Sequence, residues 1–175
     1  MAPLPQWTSP STQFIYLNVD AEAAAPPRKP GLLVQADAVL GLKALEAAVA
    51  ARHASRAALV QAARQWALQQ FAEVQPQLAY VQALRGAIPE DGVLVNELTQ
   101  VGYLATLAYP VYRPQTLITP GYQGTLGFGF PTALGVATAL PDRAVVCITG
   151  DGGFGWGLAE LATARRYALN LVVVV

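Results

Sequence analysis

Short apolar runs alternate with longer segments of helical spacing from residue 88 to the end of the chain. The runs "VLV", "AVVCIT" and "LVVVV" are continuously apolar, which is typical of strands buried on both faces of a parallel sheet. Another strand is predicted in "QTLIT", and helices are predicted near Thr99, in "TALGVATAL" and in "LAELATARRYAL". The order β-α-β-α-β-α-β predicts an α/β fold, in which a parallel β-sheet carries helices on both faces.

The first 50 residues predict a smaller α/β piece, a remnant strand and helix of a second domain. The run "FIYLNVD" at residues 14–20 is rich in β-branched and aromatic residues and predicts a strand. The following segment contains three prolines, so the stretch up to Gln35 is expected to be a loop. Asp37 precedes the alanine- and leucine-rich "AVLGLKALEAAVA" and predicts the N-cap of a helix.

Residues 51–80 predict a helical linker between the two parts. An apolar stripe at helical spacing is formed by Val60, Ala63, Ala67, Phe71 and Val74. A further helix is predicted from residue 77 to about residue 85. We therefore expect a C-terminal remnant of a central domain at residues 1–50, this linker, and the N-terminal part of a second domain at residues 81–175.

Composition and charge narrow the classes of function. Hydrophobic residues make up 54% of the chain and charged residues 13%, which favours a filled core over disorder. Eleven basic residues balance eleven acidic ones, so no basic surface for nucleic acid is expected. No window reaches the ~18 apolar residues of a membrane span, and no signal peptide is recognisable, so a cytoplasmic protein is expected. The single cysteine, Cys147, lies in an apolar run and predicts a packed core thiol.

Five glycines fall between Gly150 and Gly157, in a predicted loop that leaves a buried strand and enters a helix. Ligands of parallel α/β sheets bind at this edge, where free backbone N–H groups suit phosphate oxygens. The carboxylate of Asp151 would repel a phosphate unless a cation lay between them, and Mg²⁺ takes both kinds of oxygen ligand. The loop therefore indicates a Mg²⁺-bridged diphosphate, with Asp151 as metal ligand and Gly152 and Gly153 as N–H donors.

Two other interpretations of this loop stay open. Gly150, Gly152 and Gly155 match the G-x-G-x-x-G fingerprint of dinucleotide binding, which would make the chain a Rossmann-type unit of an oxidoreductase. That fingerprint also requires an acidic residue ~20 residues further on. Residues 161–175 contain neither Asp nor Glu, so the match is partial. The second interpretation is a glycine-rich turn without a ligand.

A second glycine run, "GYQGTLGFGFP" at residues 121–131, precedes another helix at the same edge, so two loops can hold one cofactor at two places. With this run, "GDGGFGWGLAELATARRYALNLVVVV" and "EDGVLVNELTQVG", the sequence resembles the thiamine diphosphate-dependent enzymes of the acetolactate synthase, benzoylformate decarboxylase and pyruvate decarboxylase group. "FIYLNVDAEA" and "AVLGLKALEAAV" are similar to the end of that family's central domain. The resemblance covers almost the whole chain and implies an incomplete thiamine diphosphate-binding fold.

The resemblance implies a role for each matched residue. The cofactors would be thiamine diphosphate and Mg²⁺, with Asp151 as the metal ligand. The diphosphate end would be held by Thr99, Gln100, Gly150, Gly152 and Gly153. At the other end, the Gly124 carbonyl and the Leu126 N–H would contact the aminopyrimidine, and the Leu126 side chain would hold the cofactor bent.

The resemblance also implies which parts are missing. The family's activating glutamate belongs to a separate domain, so no catalytic residue is expected in this chain, and Glu97 of "VNEL" is not that glutamate. The second metal side chain of the family's motif is expected just beyond Val175. We therefore interpret the chain as an internal fragment of a longer enzyme, inactive by itself.

The parent enzyme implied by the resemblance acts on 2-oxo acids by decarboxylation or carboligation. It would be a homodimer or homotetramer with the cofactor at a subunit interface, and FAD binding by its central domain is left open. A non-catalytic remnant, without cofactor, is the remaining alternative.

Overall fold

A computed structural model describes residues 11–24, 31–50, 55–121 and 123–175. The chain forms two compact units, Met1–Ser55 and Arg56–Val175. The three prolines of the predicted loop and the first residues of the predicted linker, 51–54, lie outside the described residues.

In its described residues, the first unit contains a pair of parallel strands and one α-helix. Strand β1 (Ile15–Asn18) is followed by a 3-10 turn (Ala21–Ala24), strand β2 (Leu32–Gln35) and helix α1 (Ala38–Ala48). The prediction of a loop up to Gln35 is wrong, because β2 pairs with β1 along its full length. The Gly31 N–H donates to the Phe14 carbonyl just before the strands meet, and the apolar residues of "LLVQ" then extend the ladder.

Helix α1 begins where the sequence predicts. The Asp37 side chain accepts hydrogen bonds from the N–H groups of Val39 and Leu40, which satisfies two donors of the first turn. Gly41 lets the helix approach β1 closely, because a Cβ at this position would lie 2.2 Å from Leu17 Cδ1.

The second unit holds a four-stranded, wholly parallel sheet. Its elements are α2 (Ala57–Ala72), α3 (Gln77–Ala87), β3 (Val93–Asn96), α4 (Gln100–Ala108), β4 (Leu117–Ile118), α5 (Gly129–Ala139), β5 (Val145–Ile148), α6 (Asp151–Trp156), a 3-10 turn (Leu158–Glu160), α7 (Leu161–Arg166) and β6 (Val172–Val174). The strand order is β4-β3-β5-β6, and each neighbouring pair is parallel. The predicted α/β fold is confirmed.

Alternate residues of the central strands face opposite layers of helices. Leu94 and Ile148 are buried in a core that includes side chains of α3 and α4. Val93, Val95 and Cys147 are buried in a second core, together with alanines of α5. Because both faces are covered, β5 is apolar at every position and β3 at every position except its last, Asn96, as the continuous runs in the sequence predict.

The predicted apolar stripe on α2 is only partly packed against the core. The helix has no buried residue, and Val60 is 54% exposed. Phe71, near its C-terminal end, packs against the core that α3 and α4 share. Val74 lies beyond the end of the helix. The spacing is therefore helical, but within the described residues most of the stripe remains exposed.

Two predicted helices differ from their predicted limits, and one predicted loop is helical. Helix α5 begins at Gly129, three residues before the predicted "TALGVATAL", because Glu97 accepts N–H groups at its start. The predicted loop "GDGGFGWG" instead forms α6, since contacts with the rest of the unit outweigh the low helix propensity of glycine. The predicted helix "LAELATARRYAL" is divided into the 3-10 turn and α7.

Within the described residues, no helix is both long and apolar enough to cross a membrane.

Gly102 and Gly135 provide a matched test of the packing around the sheet edge, because both lie inside helices. A Cβ at Gly102 would lie 2.0 Å from the Glu97 carbonyl oxygen, whereas a Cβ at Gly135 meets nothing within 4 Å. We expect Gly102→Ala to destabilise the chain by about 3 kcal/mol through overpacking. Gly135→Ala should stabilise it by roughly 0.5–1 kcal/mol through helix propensity. Urea unfolding followed by circular dichroism measures both, and equal effects would contradict the described packing.

Candidate functional site

A buried carboxylate lies at the centre of the carboxyl edge of the sheet. Glu97 directly follows β3 and is 1% exposed. Its Oε1 accepts the N–H groups of Gly127 and, at 3.2 Å, Phe128. Its Oε2 accepts the Gly129 N–H at 3.1 Å and the Thr149 hydroxyl. Four donors thus satisfy a carboxylate that would otherwise be costly to bury.

The glycines around Glu97 provide the space that its side chain fills. A Cβ at Gly129 would lie 2.7 Å from Oε2, and a Cβ at Gly153 would lie 2.5 Å from Oε1. Gly127 has a φ of 83°, a conformation that favours glycine. A Cβ on Gly127 would also lie 2.9 Å from the Cβ of Trp156. Several glycines of both sequence runs are therefore required by protein packing, before any ligand is considered.

The single cysteine of the sequence, Cys147, lies in the second core near the Glu97 carboxylate. A Cβ at Gly129 would contact both Cys147 Sγ and Glu97 Oε2, which places the two groups on the same side of that glycine. Burial, with a smaller contribution from the negative charge of Glu97, raises the pKa of the Cys147 thiol to about 12. The thiol is therefore protonated at neutral pH and has no nucleophilic character.

The start of α4 lies beside the start of α6. Thr99 caps α4 by accepting the Gly102 N–H at 2.8 Å. A Cβ at Gly150 would contact Thr99 Cγ2 at 3.6 Å, so the two residues are neighbours across the sheet edge. The Gln100 side chain accepts a hydrogen bond from Gln77 at 2.6 Å.

A cavity of about 710 Å³ opens at this edge. It is lined by Thr99, Gln100 and Gly150, together with apolar residues of α3 and the end of β6. Three residues that the sequence assigns to the diphosphate thus line one cavity.

The turn before α5 packs against Leu98. A Cβ at Gly124 would lie 3.0 Å from Leu98 Cδ1, so Gly124 packs against the residue that precedes Thr99. Leu126 is 54% exposed, and its carbonyl accepts the Thr125 hydroxyl at 3.0 Å. Tyr122 of the same run lies outside the described residues. The turn therefore presents an uncovered apolar side chain near the end of β3.

Asp151 is the first residue of α6 and is exposed. Its Oδ1 accepts the Gly152 N–H at 2.8 Å, which directs the carboxylate toward the start of the helix. A Cβ at Gly152 would meet nothing within 4 Å, so the space beside this backbone is open. Among the described residues no three His, Cys, Asp or Glu side chains gather into a metal-binding group. A cation at Asp151 would therefore need further oxygen ligands from a bound molecule.

The structure brings the predicted site residues to one edge of the sheet, in separate positions. Thr99, Gln100 and Gly150 line the cavity. The predicted residues outside its lining are Gly124, Leu126, Asp151, Gly152 and Gly153.

The sequence interpretation missed the central position of Glu97. It mentioned this residue only to state that it is not the family's activating glutamate. A signal was available, because an acidic side chain directly after a buried parallel strand lies at the ligand-binding edge.

Gly153 and Gly155 test this packing within a single short helix. A Cβ at Gly153 would overlap the Glu97 carboxylate, whereas a Cβ at Gly155 meets nothing within 4 Å. We expect Gly153→Ala to lower the free energy of unfolding by about 1–3 kcal/mol and Gly155→Ala to leave it unchanged or higher. Chemical unfolding of both variants checks this, and an unaffected Gly153→Ala protein would show that Glu97 is placed differently.

Cys147 should respond to pH in a defined direction. Because its folded pKa, about 12, exceeds the ordinary value of 9.0, the unfolded chain loses the thiol proton first and the thiol's contribution to stability falls as pH rises above that ordinary value. We expect the stability difference between the native chain and Cys147→Ala to shrink as the pH rises from about 9 toward about 12. Alkylation by iodoacetamide should be negligible in the folded chain and rapid in urea. Rapid alkylation without denaturant would contradict the burial of this thiol.

Comparisons with known proteins find a similar domain, similar sequences and a similar fold. Residues 98–175 match the domain family described as "Thiamine pyrophosphate enzyme, C-terminal TPP binding domain". The chain is 40% identical over 102 residues to the acetolactate synthase isozyme 3 large subunit of Escherichia coli, an alignment that covers 58% of this chain and 18% of that protein. It is 27% identical over 169 residues to the isozyme 1 large subunit, covering 94% of this chain and 30% of that protein.

A solved structure has the same fold. The thiamine diphosphate-dependent 4-hydroxybenzoylformate decarboxylase of Rhodococcus jostii superposes with a TM-score of 0.72 at 23% identity. The match covers 98% of this chain and 32% of that protein. This chain therefore spans less than a third of the length of each of these relatives. Residues 98–175 are therefore similar to the C-terminal domain of thiamine pyrophosphate enzymes, and the chain as a whole resembles part of the acetolactate synthase large subunits.

Proposed function

We propose that the edge of the sheet in the second unit binds thiamine diphosphate together with Mg²⁺. The observation that carries this proposal is the adjacency of Thr99 and Gly150, which joins the start of α4 to the glycine-rich start of α6. Two helix starts present N–H groups without intrahelical partners, and such groups favour an anionic ligand.

The diphosphate fits the donors at these helix starts. The Thr99 oxygen already accepts the Gly102 N–H, which leaves its hydroxyl proton for a phosphate oxygen. Gln100 is exposed at the first position of α4. The open space beside Gly152 admits a phosphate oxygen close to the backbone, while the Cα of Gly153 faces Glu97. The proposed donors are therefore the Thr99 hydroxyl, the Gln100 side chain and the first N–H groups of α6, of which that of Gly152 would turn from Asp151 Oδ1 to the phosphate.

The proposed metal ligand is Asp151. Its carboxylate is exposed at the start of α6, where a diphosphate bound to the N–H groups would also lie. Mg²⁺ is commonly held by one or two carboxylates and by phosphate oxygens, so the metal would offset the repulsion between the two anions. Asp151 thus fits the metal as one ligand, and phosphate oxygens of the bound diphosphate would be further ligands.

The turn before α5 would hold the aminopyrimidine end. The proposed contacts are the Gly124 carbonyl as acceptor, the Leu126 N–H as donor, and the Leu126 side chain as the support on which the cofactor bends. The exposure of Leu126 supports this assignment, because an apolar side chain left open beside a binding edge is available to a ligand.

The proposed reaction class is decarboxylation or carboligation of 2-oxo acids. When bound, thiamine diphosphate supplies the electron sink that this chemistry requires. The relatives named above, acetolactate synthases and a 4-hydroxybenzoylformate decarboxylase, support this class. The residues of this chain bind and orient the cofactor, and the activating glutamate is proposed to come from another domain at a subunit interface of a homodimer or homotetramer. We therefore expect the 175-residue chain alone to turn over no 2-oxo acid.

The dinucleotide-binding alternative has no comparable support. The matched family is a thiamine pyrophosphate-binding domain, and the fingerprint lacks its acidic residue in residues 161–175.

A binding experiment tests the proposed site. The chain is titrated calorimetrically with thiamine diphosphate, with and without Mg²⁺. We expect binding that depends on Mg²⁺, and at least a roughly tenfold loss of affinity in Asp151→Asn, equivalent to ~1.4 kcal/mol for a lost anionic metal ligand. Asp142→Asn is the matched control, because Asp142 is an exposed acid in the turn before β5.

Two results would contradict the proposal. An absence of binding with Mg²⁺ present would favour a non-catalytic remnant, and binding of NAD in place of thiamine diphosphate would favour the dinucleotide alternative.

A further inference from the structure

We propose that Glu97 is a positioning residue, whose buried carboxylate sets the separation between the diphosphate-binding and pyrimidine-binding parts of the site. This inference rests on the proposed function, because it concerns a ligand that contacts both parts. Glu97 itself contacts no ligand in this proposal and acts through the backbone of the two glycine runs.

The carboxylate holds the turn that follows the proposed pyrimidine contacts. Gly127, whose N–H it accepts, directly follows Leu126 in the chain. Phe128 and Gly129 donate the next two N–H groups, so three consecutive backbone donors converge on one side chain. Any shift of the carboxylate therefore moves the end of this turn.

The same carboxylate holds the start of α6. The Thr149 hydroxyl donates to Oε2, and Thr149 precedes Gly150. The Cα of Gly153 packs directly against Oε1, as the 2.5 Å approach of an added Cβ shows. The segment proposed to bind the diphosphate is therefore fixed against Glu97 at both of its ends.

The main chain of Glu97 reaches the third element of the site. Its carbonyl accepts the Thr99 N–H at 2.9 Å, and its N–H donates to the Ile148 carbonyl at 3.0 Å. One residue thus connects the starts of α4, α5 and α6. Within a buried, closely packed environment such a connection is rigid, because each oxygen has two fixed donors.

Replacing one carboxylate oxygen by an amide group breaks this arrangement in a predictable way. The NH₂ group of Glu97→Gln cannot accept a hydrogen bond, so backbone N–H groups lose their partner whichever oxygen it replaces. At the Oε1 position these are the N–H groups of Gly127 and Phe128. At the Oε2 position it is the Gly129 N–H, while the Thr149 hydroxyl can turn and accept from the NH₂ group. We expect the turn before α5 and the start of α6 to move apart or rotate relative to each other, while each keeps its own backbone conformation. A ligand that contacts both the turn before α5 and the start of α6 senses this change, whereas a ligand held only by the starts of α4 and α6 does not contact that turn.

The test compares two probes on the native chain and on Glu97→Gln. The first probe is thiamine diphosphate with Mg²⁺, which spans both parts of the site. The second is inorganic diphosphate with Mg²⁺, which occupies only the diphosphate part. We expect Glu97→Gln to bind thiamine diphosphate about tenfold or more weakly, from the loss of bonds to a charged group. We expect its affinity for inorganic diphosphate to remain within about twofold of the native value.

The outcomes separate this inference from the proposed function. If the native chain binds neither probe, the proposed function fails and this inference fails with it. If the native chain binds both and Glu97→Gln loses both in equal measure, Glu97 has a general structural role and the inference is wrong. If Glu97→Gln binds both probes normally, the carboxylate does not position the loops.

Thr149 provides a second pair of variants that does not depend on the folding of Glu97→Gln. Thr149→Val removes one of the four donors and keeps the shape, whereas Thr149→Ser keeps the donor. We expect Thr149→Val to weaken the binding of thiamine diphosphate but not of inorganic diphosphate, by a smaller factor than Glu97→Gln does. Thr149→Ser should bind thiamine diphosphate with native affinity. Equal behaviour of the two variants would overturn the inference.

Discussion

The need to satisfy one buried carboxylate organises the carboxyl edge of the sheet. An ionised side chain can be buried only where hydrogen-bond donors replace the lost water, and Glu97 obtains four of them. Three are backbone N–H groups at the start of α5, where a helix favours negative charge. The close approach that this requires excludes side chains at Gly129 and Gly153, so the glycine content of both runs follows partly from this interaction.

Much of the fold could be predicted from the sequence because its signals are local. Continuous apolar strands predicted a parallel sheet with two covered faces, and the two cores confirm this. Asp37 could be identified as a cap from its position before an apolar helix. The candidate site could be located at the carboxyl edge because the topology of parallel sheets determines where loops meet.

The remaining features depend on contacts between distant parts of the chain. Glu97 is separated by 30 residues from its first donor and by 52 from Thr149, so no local sequence pattern predicts these hydrogen bonds. The glycines of "GDGGFGWG" disfavour a helix locally, but the Phe154 ring packs on Phe130 at 5.3 Å and helps to hold α6 in place. Strand β2 was missed for the same reason, since its ladder depends on a partner 17 residues earlier in the chain.

The placement of Cys147 gives the chain a practical property. A thiol that is fully buried and protonated does not react with reagents that label exposed cysteines. Because the sequence contains no other cysteine, a single cysteine introduced at the surface could carry a fluorophore or spin label selectively. The native thiol could then stay in place, and the environment of a label in either glycine run could be followed without disturbing the core behind it.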